Sequence, residues 1–213
     1  MQCSGLRPVA CAMAMMFALG ACATDDTSKS SFSGFLGDYS QLKPDPEFDG
    51  ALRWANPNVT LADYSTFIVD PVVVQFAPND EGTALSPDEL KELTDHFRTE
   101  AIAALSEKYT VVDEPGPGVL RIRAAITSVE TTVPIMNIHP AMKLSGLGLG
   151  GASMEVEAID SVSGERIVAI VDSQQGNRMS ITEGLQTLGH AKQVMSYWVE
   201  RAVENLQKVR NEQ

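Results

Sequence analysis

The stretch ASMEVEAIDSVSGERIVAIV, residues 152–171, decides the fold class of this chain. From Ala152 to Ala158 apolar and polar side chains alternate, which is typical of a strand with one buried face. Asp160 to Glu165, with Gly164 inside it, is a turn signal, and the apolar run Ile167 to Val171 follows. We therefore expect a β-hairpin here.

Other strands are predicted upstream of the hairpin. The segment TFIVDPVVVQF, residues 66–76, is β-branched and aromatic and predicts a buried strand. Pro71 within it has no N–H to donate to a ladder, so it implies an edge or a bulge. Residues 120–127 alternate between apolar and polar and predict a half-buried strand, and Val111 with Val112 can open a short one.

Two amphipathic helices are predicted. The first starts with Ser86 as N-cap, Pro87 at the first position and Glu89 to complete a capping box, and it ends near Tyr109. Its apolar face comprises Leu90, Leu93, Phe97, Ala101 and Leu105. The second helix has apolar residues at spacings of three and four: Leu188, Ala191, Met195, Trp198, Ala202, Leu206 and Val209.

These elements predict a single α+β domain over residues 65–213. We expect a mainly antiparallel sheet of four to five strands, with both helices packed on it. Residues 34–64 contain three prolines and spaced aromatic side chains, so no long helix fits there. We expect an extended segment that precedes the domain and covers its surface.

The first 21 residues predict a lipoprotein signal peptide. Arg7 supplies a positive start, residues 9–19 form an apolar run too short to cross a bilayer, and Leu19-Gly20-Ala21-Cys22 resembles a lipobox. We expect cleavage between Ala21 and Cys22, with lipid, including palmitate, on Cys22. An ordinary signal peptide with a chance cysteine is the less favoured alternative.

Cleavage removes Cys3 and Cys11, so within one chain the mature protein has no cysteine partner for a disulfide. Residues 22–33 then form the lipidated cysteine and a flexible polar tether. Position 23 is alanine instead of the aspartate that tends to retain lipoproteins at the inner membrane. We therefore expect the cell envelope, at the periplasmic face of the outer membrane.

The charge balance and the motifs exclude several functions. A net charge of −12 gives no attraction to nucleic acid. Gly146, Gly148 and Gly151 match G-x-G-x-x-G but precede a strand instead of a helix, which disfavours nucleotide binding. The histidines, at positions 96, 139 and 190, are not spaced as metal ligands, and we expect no metal and no cofactor.

Charged residues on the predicted strands have two interpretations. Glu155 and Glu157 share one strand face, and Arg121 and Arg123 share another. Cross-strand ion pairs explain both sets. Paired carboxylates that cleave a glycoside could look similar, but a polar sheet face is far commoner.

Three runs resemble a known family: SGFLGDYSQLKP (33–44), WANPNVTLADYSTFIVDPVVV (54–74) and GGASMEVEAIDSVSGERI (150–167). Together they look like the proteobacterial lipoprotein family catalogued as domain of unknown function 3313. The resemblance covers nearly all of the mature chain. It implies a lipoprotein and supplies no activity or site residues.

The segment from Val133 to Leu149 is unusually apolar for a connection between strands. It either folds back into the core or forms an exposed surface for a partner, a second copy or a lipid. The residues of that predicted interaction surface are Ile135, Met136, Ile138, Met142, Leu144 and Leu147.

From the sequence we expect a membrane-anchored envelope lipoprotein that is not an enzyme and acts as a binding or assembly module. It would dock an envelope protein or another copy of itself through the 133–149 segment or a sheet edge. A lipid- or small-molecule-binding accessory of a transport system is the alternative, and an envelope hydrolase comes after that.

Overall fold

One sheet and two long helices make up the parts of the chain that the structure, a computed structural model, describes: residues 32–48, 50–76, 85–130, 151–175 and 188–211. Helix α1 covers Pro87–Ser106, helix α2 covers Gly189–Asn211, and a short 3-10 helix covers Leu61–Asp63. The strands are β1 (Lys43–Pro44), β2 (Leu52–Ala55), β3 (Thr66–Val69), β4 (Val73–Val74), β5 (Thr110–Val111), β6 (Val119–Glu130), β7 (Gly151–Asp160) and β8 (Arg166–Gln175).

The strand order is β1-β2-β8-β7-β6-β3-β5, and β4 also pairs with β6. Strands β6, β7 and β8 form a long antiparallel centre, and β7 with β8 is the predicted hairpin. On the outer side of β6 the pairing is parallel, because β3 and β4 both run in the direction of β6. The sheet is therefore mixed.

The expected number of four to five strands was wrong, since the described part of the chain has eight. Four of their seven pairings are antiparallel and three are parallel. Strands β1 and β2 come from the segment that we expected to precede the domain, and they extend the sheet beyond β8. The parallel pairs arise because α1 carries the chain across the sheet between β4 and β6. A strand that returns through such a crossover runs parallel to the strand it left.

Pro71 divides the predicted strand 66–76 into β3 and β4, which both lie along β6. Residues 70–72 between them belong to neither strand. After the proline, the backbone N–H of Gln75 donates to Ile126 O at 3.0 Å, so the chain resumes its pairing with β6. The predicted interruption at Pro71 is confirmed.

Helix α1 begins as predicted. The Ser86 side chain accepts a hydrogen bond from the Glu89 N–H, and the Glu89 carboxylate accepts one from the Ser86 N–H at 2.8 Å. This capping box satisfies two backbone donors that a helix start leaves free. The helix ends at Ser106, three residues before the predicted end near Tyr109.

Both helices pack on one face of the sheet, and their apolar side chains form the main core. Phe97 of α1 and Trp198 of α2 meet edge to face, with ring centroids 6.3 Å apart. Sheet residues Ala124, Ile126 and Met154 complete this core. The predicted packing of two amphipathic helices on a sheet is confirmed.

The opposite face of the sheet, here called the rear face, contacts residues 32–42, here called the strap. Leu36 of the strap is buried against Ala169 and Val171 of β8. The Arg166 guanidinium donates to two strap carbonyls, those of Leu36 and, at 3.1 Å, Asp38. Strap, sheet and helices thus form three layers.

Candidate functional site

An apolar cavity of about 160 Å³ lies between the helices and the sheet. Its walls include Phe97 and Trp198 from the helices and Ile122, Val156 and Ile170 from the sheet. Protein cores hold few voids larger than a water molecule, so a space of this size is unusual.

Short side chains at facing positions account for the space. Ala101 on α1 lies across the cavity from Ala124 on β6 and Ala158 on β7, and all three line it. A larger side chain at any of these positions would fill part of the gap. The sequence does not reveal the cavity, because alanine at a helix or strand position also fits a tightly packed core.

Arg201 of α2 is a polar residue on the lining, and it pairs with Asp172 of β8. Asp172 is fully buried, and one of its oxygens accepts a hydrogen bond from Arg201 Nη2. The other accepts from Gln174 Nε2 at 2.9 Å. The guanidinium carbon lies 4.1 Å from the ring centroid of Phe48, a cation–π contact.

Two buried donors on side chains that line the cavity have no acceptor among the described residues. They are Nη1 of Arg201 and Nε1 of Trp198, and both side chains are more than nine-tenths buried. A buried N–H without an acceptor is destabilising by about 1–3 kcal/mol. These two donors are therefore available to a polar atom that enters the cavity.

The remaining charged groups around the cavity are balanced. Arg53 of β2 and Arg201 are the cations on the lining, while Asp45 and Asp70 are its carboxylates. Asp70 also has an ion pair with Arg121, N to O 3.5 Å. The lining therefore has no excess positive charge.

The segment that carries Phe48 is fastened to α2. Glu47 Oε1 accepts a hydrogen bond from Lys208 Nζ at 3.0 Å, although both side chains are half exposed. Gly50 follows with φ of +83°, and a Cβ there would lie 3.3 Å from Ser173 O. Glycine is thus required where this segment passes over β8.

The rear face has a separate group of buried carboxylates. Glu157 accepts from Arg123 Nη1 at 2.6 Å and from Arg166 Nε at 2.8 Å. Arg123 lies directly opposite Glu157 in the β6–β7 register, so the predicted cross-strand ion pairing is confirmed for these two residues.

Glu155 anchors the strap instead of pairing with an arginine. Its oxygens accept from Ser33 N at 2.7 Å, Tyr39 Oη at 2.6 Å and Leu36 N at 3.4 Å. Burial, together with the hydrogen bond to Glu155, raises the pKa of Tyr39 to about 12. All four oxygens of Glu155 and Glu157 therefore have partners within the fold, which favours a structural role over paired acid–base chemistry.

The other sequence-predicted site residues lie mostly outside the described ranges. Ala21, Cys22, His139 and the predicted interaction surface (Ile135, Met136, Ile138, Met142, Leu144, Leu147) all fall there. His96 lies on α1 and His190 on α2. Within the described ranges, His, Cys, Asp and Glu nowhere form a group of three or more that could hold a metal ion. Neither described helix has the length and apolarity needed to cross a bilayer.

The fold and the cavity define a class: an α+β domain with two helices over a mixed sheet and an apolar space between the layers. The chain belongs to the family described as protein of unknown function DUF3313, whose profile matches residues 31–202.

Relatives and solved structures are similar to this chain over most of its length. The uncharacterized lipoprotein YdcL of Escherichia coli K12 is 25% identical over 199 residues, which cover 86% of this chain and 89% of that protein. The PelC dodecamer from Paraburkholderia phytofirmans is 12% identical with a TM-score of 0.44, covering 74% of this chain and 96% of that one. The hypothetical protein CT253 from Chlamydia trachomatis is 13% identical with a TM-score of 0.38, covering 67% and 97%.

Proposed function

We propose that this chain is an envelope lipoprotein, anchored through lipid on Cys22 at the periplasmic face of the outer membrane, and that its domain is a non-enzymatic binding module. The cavity between helices and sheet is its binding site, and the ligand is a small apolar molecule. The single observation that carries the proposal is the apolar space of about 160 Å³ with Arg201, which pairs with the buried Asp172, on its lining. The name of the Escherichia coli relative supports the lipid anchor.

Two features support binding in preference to catalysis. The cavity walls are mainly hydrocarbon, and Asp70, one of the two carboxylates on the lining, has an ion pair with Arg121. On the rear face the buried glutamates are occupied by arginines and by the strap. General acid–base chemistry needs a group that is free to exchange a proton with substrate.

Docking through a sheet edge receives little support from the strands themselves. The outermost strands of the described sheet, β1 and β5, have two residues each. Lys43 and Pro44 make up all of β1, and both residue types discourage pairing with another chain. Docking through the 133–149 segment stays a prediction.

The binding site is tested with benzene, which enters apolar cavities of about 150 Å³ in proteins. We expect benzene to raise the melting temperature of the wild type in a concentration-dependent way. Ala101→Leu fills the cavity and should abolish this shift. Ala103→Leu, the same change at an exposed position of α1, should keep it. An unchanged melting temperature in the wild type, or an equal shift in both variants, contradicts the proposal.

The anchor is tested separately by fractionating cells that express the wild type or Cys22→Ala. We expect the wild type in the outer-membrane fraction with an acylated N-terminus by mass spectrometry. The variant should lose the acyl groups and leave that fraction. Retention of the variant in the membrane would contradict the lipid anchor and leave the cavity test unaffected.

A further inference from the structure

We infer that the molecule bound in the cavity carries an uncharged oxygen acceptor, such as an ester carbonyl, and that Arg201 Nη1 and Trp198 Nε1 donate to it. This inference rests on the proposed function, since it names the ligand class of the same site. It adds what the apolar walls alone do not specify, namely the polar group of the ligand and the residues that select it.

The two donors are placed to act together. Trp198 and Arg201 are three residues apart on α2, so their side chains lie on one face of the helix, one turn apart. Both line the cavity, and neither donor has an acceptor among the described residues. A carbonyl oxygen has two lone pairs and can accept from both donors at once.

Charge decides between a neutral and an anionic acceptor. Arg201 already donates to the fully buried Asp172, so its charge is compensated. Arg53 is the other cation on the lining, and Asp45 lies on the same lining. A carboxylate ligand would therefore bring a further negative charge into an apolar space whose lining already has as many carboxylates as cations, which is unfavourable. An ester brings no charge, and the free-energy cost of removing it from water is small.

Size restricts the ligand further. A cavity of about 160 Å³ is close to the volume that accepts benzene, so it holds roughly six to eight non-hydrogen atoms. Methyl pentanoate fits this range and has one ester carbonyl on a short hydrocarbon chain. Hexanoate is the anion of its isomer hexanoic acid, and n-hexane is a hydrocarbon of similar length without an acceptor. These three compounds are the probes.

The experiment measures dissociation constants of the three probes for the full mature chain by ligand-detected NMR. In the wild type, methyl pentanoate should bind at least about tenfold tighter than hexanoate. Trp198→Phe keeps an aromatic ring and removes the Nε1 donor. It should raise the dissociation constant of methyl pentanoate by roughly three- to tenfold, the usual range for the loss of one hydrogen bond. Binding of n-hexane should change by less than about twofold, since it uses no donor.

Two further variants separate the donor effect from a general loss of packing. Trp54→Phe makes the same change on the rear face, where Trp54 packs with the strap, and should leave all three constants unchanged. Arg201→Lys keeps a cation beside Asp172 and removes Nη1, so it should also weaken the binding of methyl pentanoate more than that of n-hexane. This second variant tests the donors even if Trp198→Phe folds poorly.

Each alternative outcome has a definite meaning. If Trp198→Phe and Arg201→Lys weaken the binding of the ester and of n-hexane equally, the donors do not select the ligand. That result overturns the inference, while the cavity remains a binding site. Hexanoate binding as tightly as the ester overturns the uncharged acceptor. If the wild type binds none of the probes, the proposed function fails together with the inference.

Discussion

Glu157 illustrates how far the sequence alone predicts a single contact. The alternation in residues 152–158 indicates that Glu157 and Glu155 share a face, and the observed register places Arg123 opposite Glu157. The second partner, Arg166, could not be predicted, because a bulge between Ala158 and Ile159 shifts the pairing with β8. The sequence around a bulge does not determine which residue of the neighbouring strand lies close to a given side chain.

Replacing Glu157 by glutamine should destabilise the fold by about 3 kcal/mol, the lower end of the range for breaking a buried ion pair. The variant leaves Arg123 and Arg166 without their carboxylate, and the glutamate side chain is only 5% exposed. Urea unfolding of the two proteins measures the difference. As a matched control, Asp95→Asn breaks the exposed Lys91–Asp95 pair on α1 and should cost less than about 0.5 kcal/mol. Equal costs for the two variants would show that burial does not matter here.

Tyr39 and Tyr64 predict how stability changes in alkaline solution. Burial, with a hydrogen bond to Glu155 for Tyr39 and to Asp160 for Tyr64, raises the pKa of each phenol from 10.0 to about 12. The folded state therefore favours the neutral phenols. Their contribution to stability is complete below pH 10 and is lost as the pH rises through 12.

The test compares the wild type with the double variant Tyr39→Phe, Tyr64→Phe over that pH range. Phenylalanine does not ionise, so the free energy of unfolding of the variant should fall less steeply between pH 10 and 12. Replacing Tyr197, which is 44% exposed, by phenylalanine is the control and should leave the slope unchanged. Parallel curves for the wild type and the double variant would refute the expected linkage.

At the scale of elements, a strong local signal was sufficient for α1, whereas the edge strands depended on partners. Ser86, Pro87 and Glu89 fix the start of α1 within four residues, and the structure confirms it. Strands β1, β4 and β5 have two residues each, too few to show a period. They form because the backbones of longer neighbouring strands provide hydrogen-bond partners, so they can be recognised only in the assembled sheet.

The capping box makes a quantitative prediction for α1. Ser86→Ala removes the side-chain acceptor for the Glu89 N–H and should lower the free energy of unfolding by about 1 kcal/mol. Ser106→Ala, at the other end of the same helix and exposed, should change it by less than about 0.5 kcal/mol. Chemical denaturation with circular dichroism at a helix wavelength measures both. A cost for Ser106→Ala as large as that for Ser86→Ala would contradict the assignment of the cap.

The two faces of the sheet differ at the scale of the whole molecule. On the helix face, the helices and the sheet pack through apolar side chains that include several alanines, and the cavity lies between these layers. On the rear face, the strap is held by directed hydrogen bonds to Glu155 and by the Arg166 contacts. The cavity could not be predicted from the sequence, because it depends on how two helices and a sheet, far apart in the chain, are spaced. The strap contacts span more than 100 residues of sequence and were equally hidden.

If the strap is part of the folded unit, its removal must lower the free energy of unfolding of the whole domain. A chain that starts at Lys43 loses Leu36 from its site against Ala169 and Val171, and burying one such side chain alone is worth about 1.5–3 kcal/mol. We therefore expect it to unfold at lower urea concentration than the Cys22→Ala mature chain, with a smaller dependence on urea because less surface is buried. Leu36→Ala in the longer chain should lower the midpoint and preserve that dependence. A truncated chain with the midpoint of the longer one would mean that the strap only lies on the rear face, and that the sheet and the two helices fold without it.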